Sequence, residues 1–213
     1  MRLGLYGGTF DPVHMGHLLL AESCREQMRL DEVWFIPTGS PPHKVGVQIA
    51  PPKARREMLE LALAGLPQFH VSRIELDRPG PHYTVETLGQ LKGERPEDEL
   101  FLLIGADSLH ELHTWREPAE IARLAQIVAV NRGDEPLGAT AGDFDLPTGE
   151  RIQLATVKMP AVGVSATDLR RRVADGRSIR FQTPRAVEQY IRAHRLYQAG
   201  PEPEKSPAGQ TVH

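Results

Sequence analysis

The chain has 213 residues, 40% of them hydrophobic and 25% charged, which is enough apolar material for one globular domain with a real core. Its 28 acidic and 25 basic residues leave a net charge of −3, so nothing general draws it to nucleic acid or to a membrane, and any grip on phosphate has to be local. No apolar run is long enough to span a bilayer, the amino terminus has no secretory pattern, and one cysteine excludes an internal disulfide framework, so a cytoplasmic setting is expected.

Residues 2–6 (RLGLY) have the length and flanks of a buried first strand, and residues 15–29 carry a helical pattern. Between them lies a strand-to-helix turn. A helix opens with unpaired N–H groups and a partial positive charge, a ready seat for phosphate. Gly7 and Gly8 let the backbone approach an anion, Thr9 adds a hydroxyl, and Asp11-Pro12 fixes a bend. His14 and His17, three apart at the helix start, share one face and suggest charge-assisted donors to phosphate oxygens. Plainer readings stand beside this one: a Gly-Gly turn that is only a turn, or a histidine pair that binds metal. Zinc would want further Cys or His ligands, and the single cysteine, Cys24, sits in mid-helix, so no protein metal site is expected. A dinucleotide-binding dehydrogenase would want GxGxxG here and an acidic residue closing the second strand; the chain reads GGTFDP, then Ile36-Pro37-Thr38.

Residues 32–37 (EVWFIP) read as a second strand, and strand, helix, strand opens a parallel α/β sheet. The Pro- and Gly-rich loop after it carries His43 and Lys44, either a solvated surface pair or a semi-rigid phosphate clamp. Residues 53–64 form an amphipathic helix whose Arg55 and Arg56 read as a solvated face. Residues 69–76 (FHVSRIEL) alternate like a strand, and DRPGPHYTVETL then feeds a helix with His82 or Thr84 near its start, a second anion seat.

Residues 99–104 (ELFLLI) make a central strand ending in Gly105, Ala106 and Asp107, where an open α/β sheet places its ligands. Asp107 there can accept from ribose hydroxyls or simply cap the next helix, and Trp115 beyond it can line a pocket or pack in the core. Residues 125–130 give the next strand, with Arg132 at its end able to balance a phosphate or carboxylate. Residues 133–150 show no periodicity and read as a mobile lid or an excursion; residues 151–157 look like the last strand. Residues 165–195 then hold eight arginines against three acids. Ser165 or Thr167 can cap a helix on which Arg170 lies one turn along, so hydroxyl, free N–H groups and guanidinium can converge on one anion, although such a charge run is also what a solvated face looks like. Residues 184–195 are a closing helix, and 198–213, poor in apolar residues, read as a disordered tail after a single domain spanning 1–197.

GGTFDPVHMGHL, residues 7–18, resembles the first signature of the bacterial nicotinate mononucleotide adenylyltransferases, within the nucleotidyltransferase superfamily marked by (H/T)xGH, here His14 to His17. PPHK, a near match to RPGPSYTVDTL with His82 where serine is usual, IGADSL followed by Trp115, and the second signature SxTxxR, intact at Ser165, Thr167 and Arg170 within a usual ISSTxIR altered at Val164, Ala166 and Leu169, extend the resemblance to residue 195 or so. It implies a Rossmann-like open parallel sheet with helices on both faces. It also implies an ATP site of Gly7, Gly8, Thr9, Phe10, His14, His17, Gly105, Asp107, Ser165, Thr167 and Arg170, with His14, His17 and Arg170 catalytic. The nicotinate mononucleotide would meet His43, Lys44, Tyr83, Thr84, Trp115 and Arg132.

The expected reaction is attack of the 5′-phosphate of nicotinate mononucleotide on the α-phosphorus of ATP, releasing pyrophosphate. A phosphate is already largely ionised at neutral pH, its second pKa being about 6, so no dedicated base is needed. Mg2+ would arrive with ATP, held through its phosphates. A sibling transferase with another acceptor, such as nicotinamide mononucleotide or phosphopantetheine, and an ATP-binding module without turnover are the competing readings. Partners are then small molecules, with no nucleic acid and no membrane, and a homo-oligomer is compatible.

Overall fold

The computed structural model describes residues 1–39, 49–133, 143–146 and 149–198. His43, Lys44, part of the 133–150 segment and the tail from 199 lie outside them. In chain order the elements are β1 (Arg2–Gly8), α1 (Met15–Gln27), β2 (Glu32–Pro37), α2 (Pro52–Leu63), β3 (Phe69–Val71), α3 (Thr84–Glu94), β4 (Glu99–Gly105) and α4 (Ala106–Glu111). A single 3₁₀ turn, Leu112–Thr114, leads to α5 (Pro118–Leu124), β5 (Gln126–Arg132), β6 (Asp143–Asp145), β7 (Arg151–Met159), α6 (Ala166–Ala174) and α7 (Arg185–Ala193).

The strands form one sheet in the order β3-β2-β1-β4-β5-β7-β6. All neighbours are parallel except β6, which runs antiparallel to β7. Alternation along the central strands divides the core in two. Phe101 and Leu103 of β4 with Val128 and Val130 of β5 meet α1, α2, α6 and α7 through Leu20, Cys24, Met58, Leu59, Leu169, Val187 and Ile191. Leu102, Ile104, Ile127 and Ala129 face the other way, onto Val85, Leu88 and Leu91 of α3, Leu109 of α4 and Ile121 of α5. Each such side chain, wholly buried, contributes about 1.5–3 kcal/mol. The sheet is therefore covered on both faces, as near-continuous apolar strands require. Cys24 is fully buried, and desolvation alone pushes its thiol up to about 12.

Two expectations need correction. The strand foreseen over 69–76 stops at Val71, because the Asp77 N–H donates to the Arg73 carbonyl and closes a turn. That turn carries Glu75 inward, where its carboxylate accepts from the Thr87 hydroxyl at 2.9 Å. The 133–150 segment is not wholly irregular either. Phe144 pairs with Ile152, Leu146 is buried, and Gly149, at φ +86°, supplies the left-handed residue of the turn between the two strands.

Candidate active site

β1 pairs with β2 on one side and β4 on the other, and the chain winds away from it in both directions. This is the topological switch point, where an open α/β sheet leaves a crevice beyond its carboxyl ends. Gly7 and Gly8 of the first signature, and Gly105 with Asp107 of the fourth strand and its helix, lie on its two sides. Gly105 is the residue before α4, and Asp107 is exposed in its first turn with no capping bond, so the helix-cap reading of Asp107 does not hold.

The signature turn is held from within. Phe10, at φ +49°, is 2% exposed; its ring packs 5.4 Å from Tyr6 and 5.5 Å from Phe35, so what it can offer a ligand is main chain. A Cβ on Gly8 would come within 2.9 Å of that ring, whereas the space over Gly7 is open. His14 and His17 stack at 3.7 Å between ring centroids, and a Cβ on Gly16 would press on the His14 ring at 3.1 Å, which is why the motif reads HxGH. The His14 main-chain N–H donates to His17 Nδ1 at 3.2 Å. With Nδ1 accepting, the proton of this ring sits on Nε2, which is left as its donor.

The second signature arrives at the same place. Ser165 caps α6, accepting from the Asp168 N–H at 3.1 Å. Arg170 donates through Nη2 to the Thr167 hydroxyl at 3.3 Å and through Nη1 to the Asp11 carbonyl at 2.7 Å. The Met15 N–H, at the start of α1, donates to the Gln182 carbonyl, and the Thr183 hydroxyl donates to the Val13 carbonyl. The segment between α6 and α7 thus clasps the first signature, and both signatures border one crevice.

On the other flank Tyr83 precedes α3 and Thr84 opens it. The Arg116 guanidinium lies 4.7 Å from the Tyr83 ring and donates to Glu86, so the Trp115 segment is held against Tyr83. Trp115 is half-buried beside the second core cluster. His82 is buried: its Nδ1 accepts from Arg78 Nε at 3.3 Å, and its Nε2 fills the space where a Cβ on Gly39 would lie, 2.6 Å away. Burial, then Arg78, hold its pKa below the usual histidine value; burial raises that of Glu75, which joins Arg78 through Thr87. Arg132 closes β5 at the same edge of the sheet. Among the described residues no three His, Cys, Asp or Glu side chains gather as metal ligands.

Sequence reasoning missed Arg55. Far from being solvated it is 1% exposed, and it donates to the carbonyls of Thr9, Thr38, Gly39 and Ala50. Its spacing was a signal: positions 55, 58, 59 and 62 lie on one face of α2, and the other three are apolar. A recess of about 660 Å³ between Arg2, Phe101, Arg123 and Gln153 opens at the opposite, amino-terminal ends of the strands and touches none of the motifs.

Residues 5–172 match the model of the cytidylyltransferase-like family. The chain is 48% identical over 197 residues to a probable nicotinate-nucleotide adenylyltransferase of Thermomicrobium roseum, covering 92% of this chain and 91% of that one. It is likewise 48% identical over 199 residues to one from Thermus thermophilus, covering 92% and 100%. Its fold is similar to that of the Plasmodium falciparum nicotinic acid mononucleotide adenylyltransferase complexed with NaAD, at 15% identity and a TM-score of 0.74, covering 92% and 97%. No described helix is long and apolar enough to cross a membrane.

Proposed function

The chain belongs to the nicotinate-nucleotide adenylyltransferases of the cytidylyltransferase-like family, and from that premise we propose how its residues carry out the transfer of the adenylyl group of ATP to nicotinate mononucleotide. An oxygen of the mononucleotide's 5′-phosphate forms a bond to the α-phosphorus of ATP as the bond from that phosphorus to the bridging oxygen breaks. The products are nicotinate adenine dinucleotide and pyrophosphate, which takes the bridging oxygen's electron pair.

With an ionised phosphate as nucleophile the protein has little covalent chemistry to do, and the rate rests on position and on donors aimed at developing charge. The signature turn at Gly7, Gly8 and Thr9, with His14 and the Nε2–H of His17, serves the α- and β-phosphates. Arg170, Thr167 and the opening of α6 serve the β- and γ-phosphates. Gly105 and Asp107 take the nucleoside; Tyr83, Thr84, Trp115 and Arg132 take the nicotinate mononucleotide, together with His43 and Lys44. ATP enters as its magnesium complex, the donors of the site being N–H and O–H groups that suit phosphate oxygens and leave the ion to the phosphates. Residues 1–197 act as one catalytic domain in the cytoplasm.

The observation that carries this reading is the bond from Arg170 to the Asp11 carbonyl, which brings the second signature against the first. Pyrophosphate release with ATP and each acceptor in turn tests it. Nicotinate mononucleotide should be the preferred acceptor; turnover only with phosphopantetheine or nicotinamide mononucleotide, or none with any, overturns it.

A further inference from the structure

Near its end the chain bends back onto the first signature. Arg195 and Tyr197 both take the left-handed conformation, at φ +51° and +62°, which side chains other than glycine adopt at a cost. The result is that the Tyr197 hydroxyl donates to Asp11 Oδ1 at 2.6 Å. Asp11 is 2% exposed, and the same oxygen also accepts from the Ala50 N–H at 3.1 Å. Its other oxygen, Oδ2, has no hydrogen bond among the described residues and lies 3.8 Å from Arg170 Nη1, the atom that donates to the Asp11 carbonyl. Burial first, then the Asp11 charge, raise the Tyr197 phenol well above the usual tyrosine range, so it remains a donor.

A buried carboxylate takes whatever donors it can reach. With Oδ1 held by two of them, Arg170 hydrogen-bonds Asp11 through its carbonyl, and Oδ2 stays 3.8 Å from Nη1. Were one donor removed, the carboxylate would draw the guanidinium onto itself and away from the crevice. We propose that Tyr197 is a positioning residue of the transferase, fixing Asp11 so that Arg170 stays directed at the triphosphate. This rests on the reading that Arg170 grips ATP phosphate.

The test is a double-mutant cycle on the full chain. Tyr197→Phe should lower kcat/KM for ATP about tenfold, the scale of one hydrogen bond to a charged group, with KM for ATP rising more than KM for nicotinate mononucleotide. In an Arg170→Lys background the same change should cost less than about threefold, because the group it acts through is already altered. Thr183→Val, which removes a buried hydroxyl bonded to the loop of Asp11 at the Val13 carbonyl without touching Asp11, should cost the same factor in both backgrounds. If Tyr197→Phe does not fold, Asp11→Asn keeps the shape and turns an amide N–H toward Arg170, and the same cycle applies. An equal factor for Tyr197→Phe in both backgrounds, or equal changes in the two KM values, overturns the proposal and leaves the role of Arg170 intact. Unchanged kcat/KM in Arg170→Lys alone overturns both.

Discussion

Arg170 Nη1 and the Asp11 carbonyl oxygen lie 2.7 Å apart although 159 residues separate them in sequence. One lies a full turn into α6, the other in the loop that opens α1, so two motifs that each look like a lone helix start meet in the fold; on the proposed mechanism they are the two ends of a polyphosphate seat. A single phosphate would not need both.

On the proposed mechanism His17 donates to charge that appears only during the reaction. His17→Ala should lower kcat by about 10²-fold, the scale of a lost transition-state donor. Steady-state kinetics with nicotinate mononucleotide check this, and a loss under about threefold removes His17 from the mechanism.

Trp115 should act on the acceptor rather than on ATP. Trp115→Ala is expected to raise KM for nicotinate mononucleotide about tenfold, in the range of one lost stacking contact, while KM for ATP moves less than about twofold. Equal rises in both would mean that the ring only supports the fold.

For Arg55 the readout is stability. Four carbonyls accept from it and the buried Asp11 lies near enough to oppose the lowering of its pKa by burial. Arg55→Met should cost about 3–5 kcal/mol in urea unfolding, since it leaves buried carbonyls without their donor and takes a positive charge from near the buried Asp11. A cost below about 1 kcal/mol would show that water replaces the guanidinium freely.

His82 should make stability depend on pH. The folded protein holds it neutral where the unfolded chain, with the ordinary value of 6.5, would protonate it. Its contribution is therefore present above that value and lost as pH falls below it, towards the folded pKa. Arg78 deepens the effect, Glu86 opposes it, and Glu75, whose pKa burial raises, favours lower pH. Between about pH 7.5 and about pH 5.5 the wild type should lose more stability than His82→Ser, which keeps those neighbours. Parallel losses would remove His82 as the sensor.

The sheet was legible wherever the burial pattern was simple. Residues 2–6, 32–37 and 99–104 are apolar runs that lie in the middle of the sheet, and each forms a strand. The failures share one cause: local pattern does not say what a distant element offers. FHVSRIEL alternates, but the Thr87 hydroxyl on α3 gives Glu75 a buried partner and the chain turns to reach it. Phe144 lies among breakers, and only the edge of β7 makes a strand of residues 143–145. At the first signature, glycines and histidines were readable as one turn because their contacts are local, Gly16 leaving room for the His14 ring. Arg55 and Tyr197 were not, since each is defined by main-chain oxygens or a carboxylate far away in sequence.

The lone Cys24 lies on the buried face of α1 with no exposure, its thiol pushed up to about 12. At about pH 8 only about one molecule in 10⁴ carries the nucleophilic thiolate, and that one is sealed in. Alkylating agents and peroxide should therefore spare the native enzyme and reach the sulfur only when α1 lifts from the sheet. The speed at which a thiol reagent labels the protein then becomes a clock for that opening, with no other sulfhydryl in the chain to blur it.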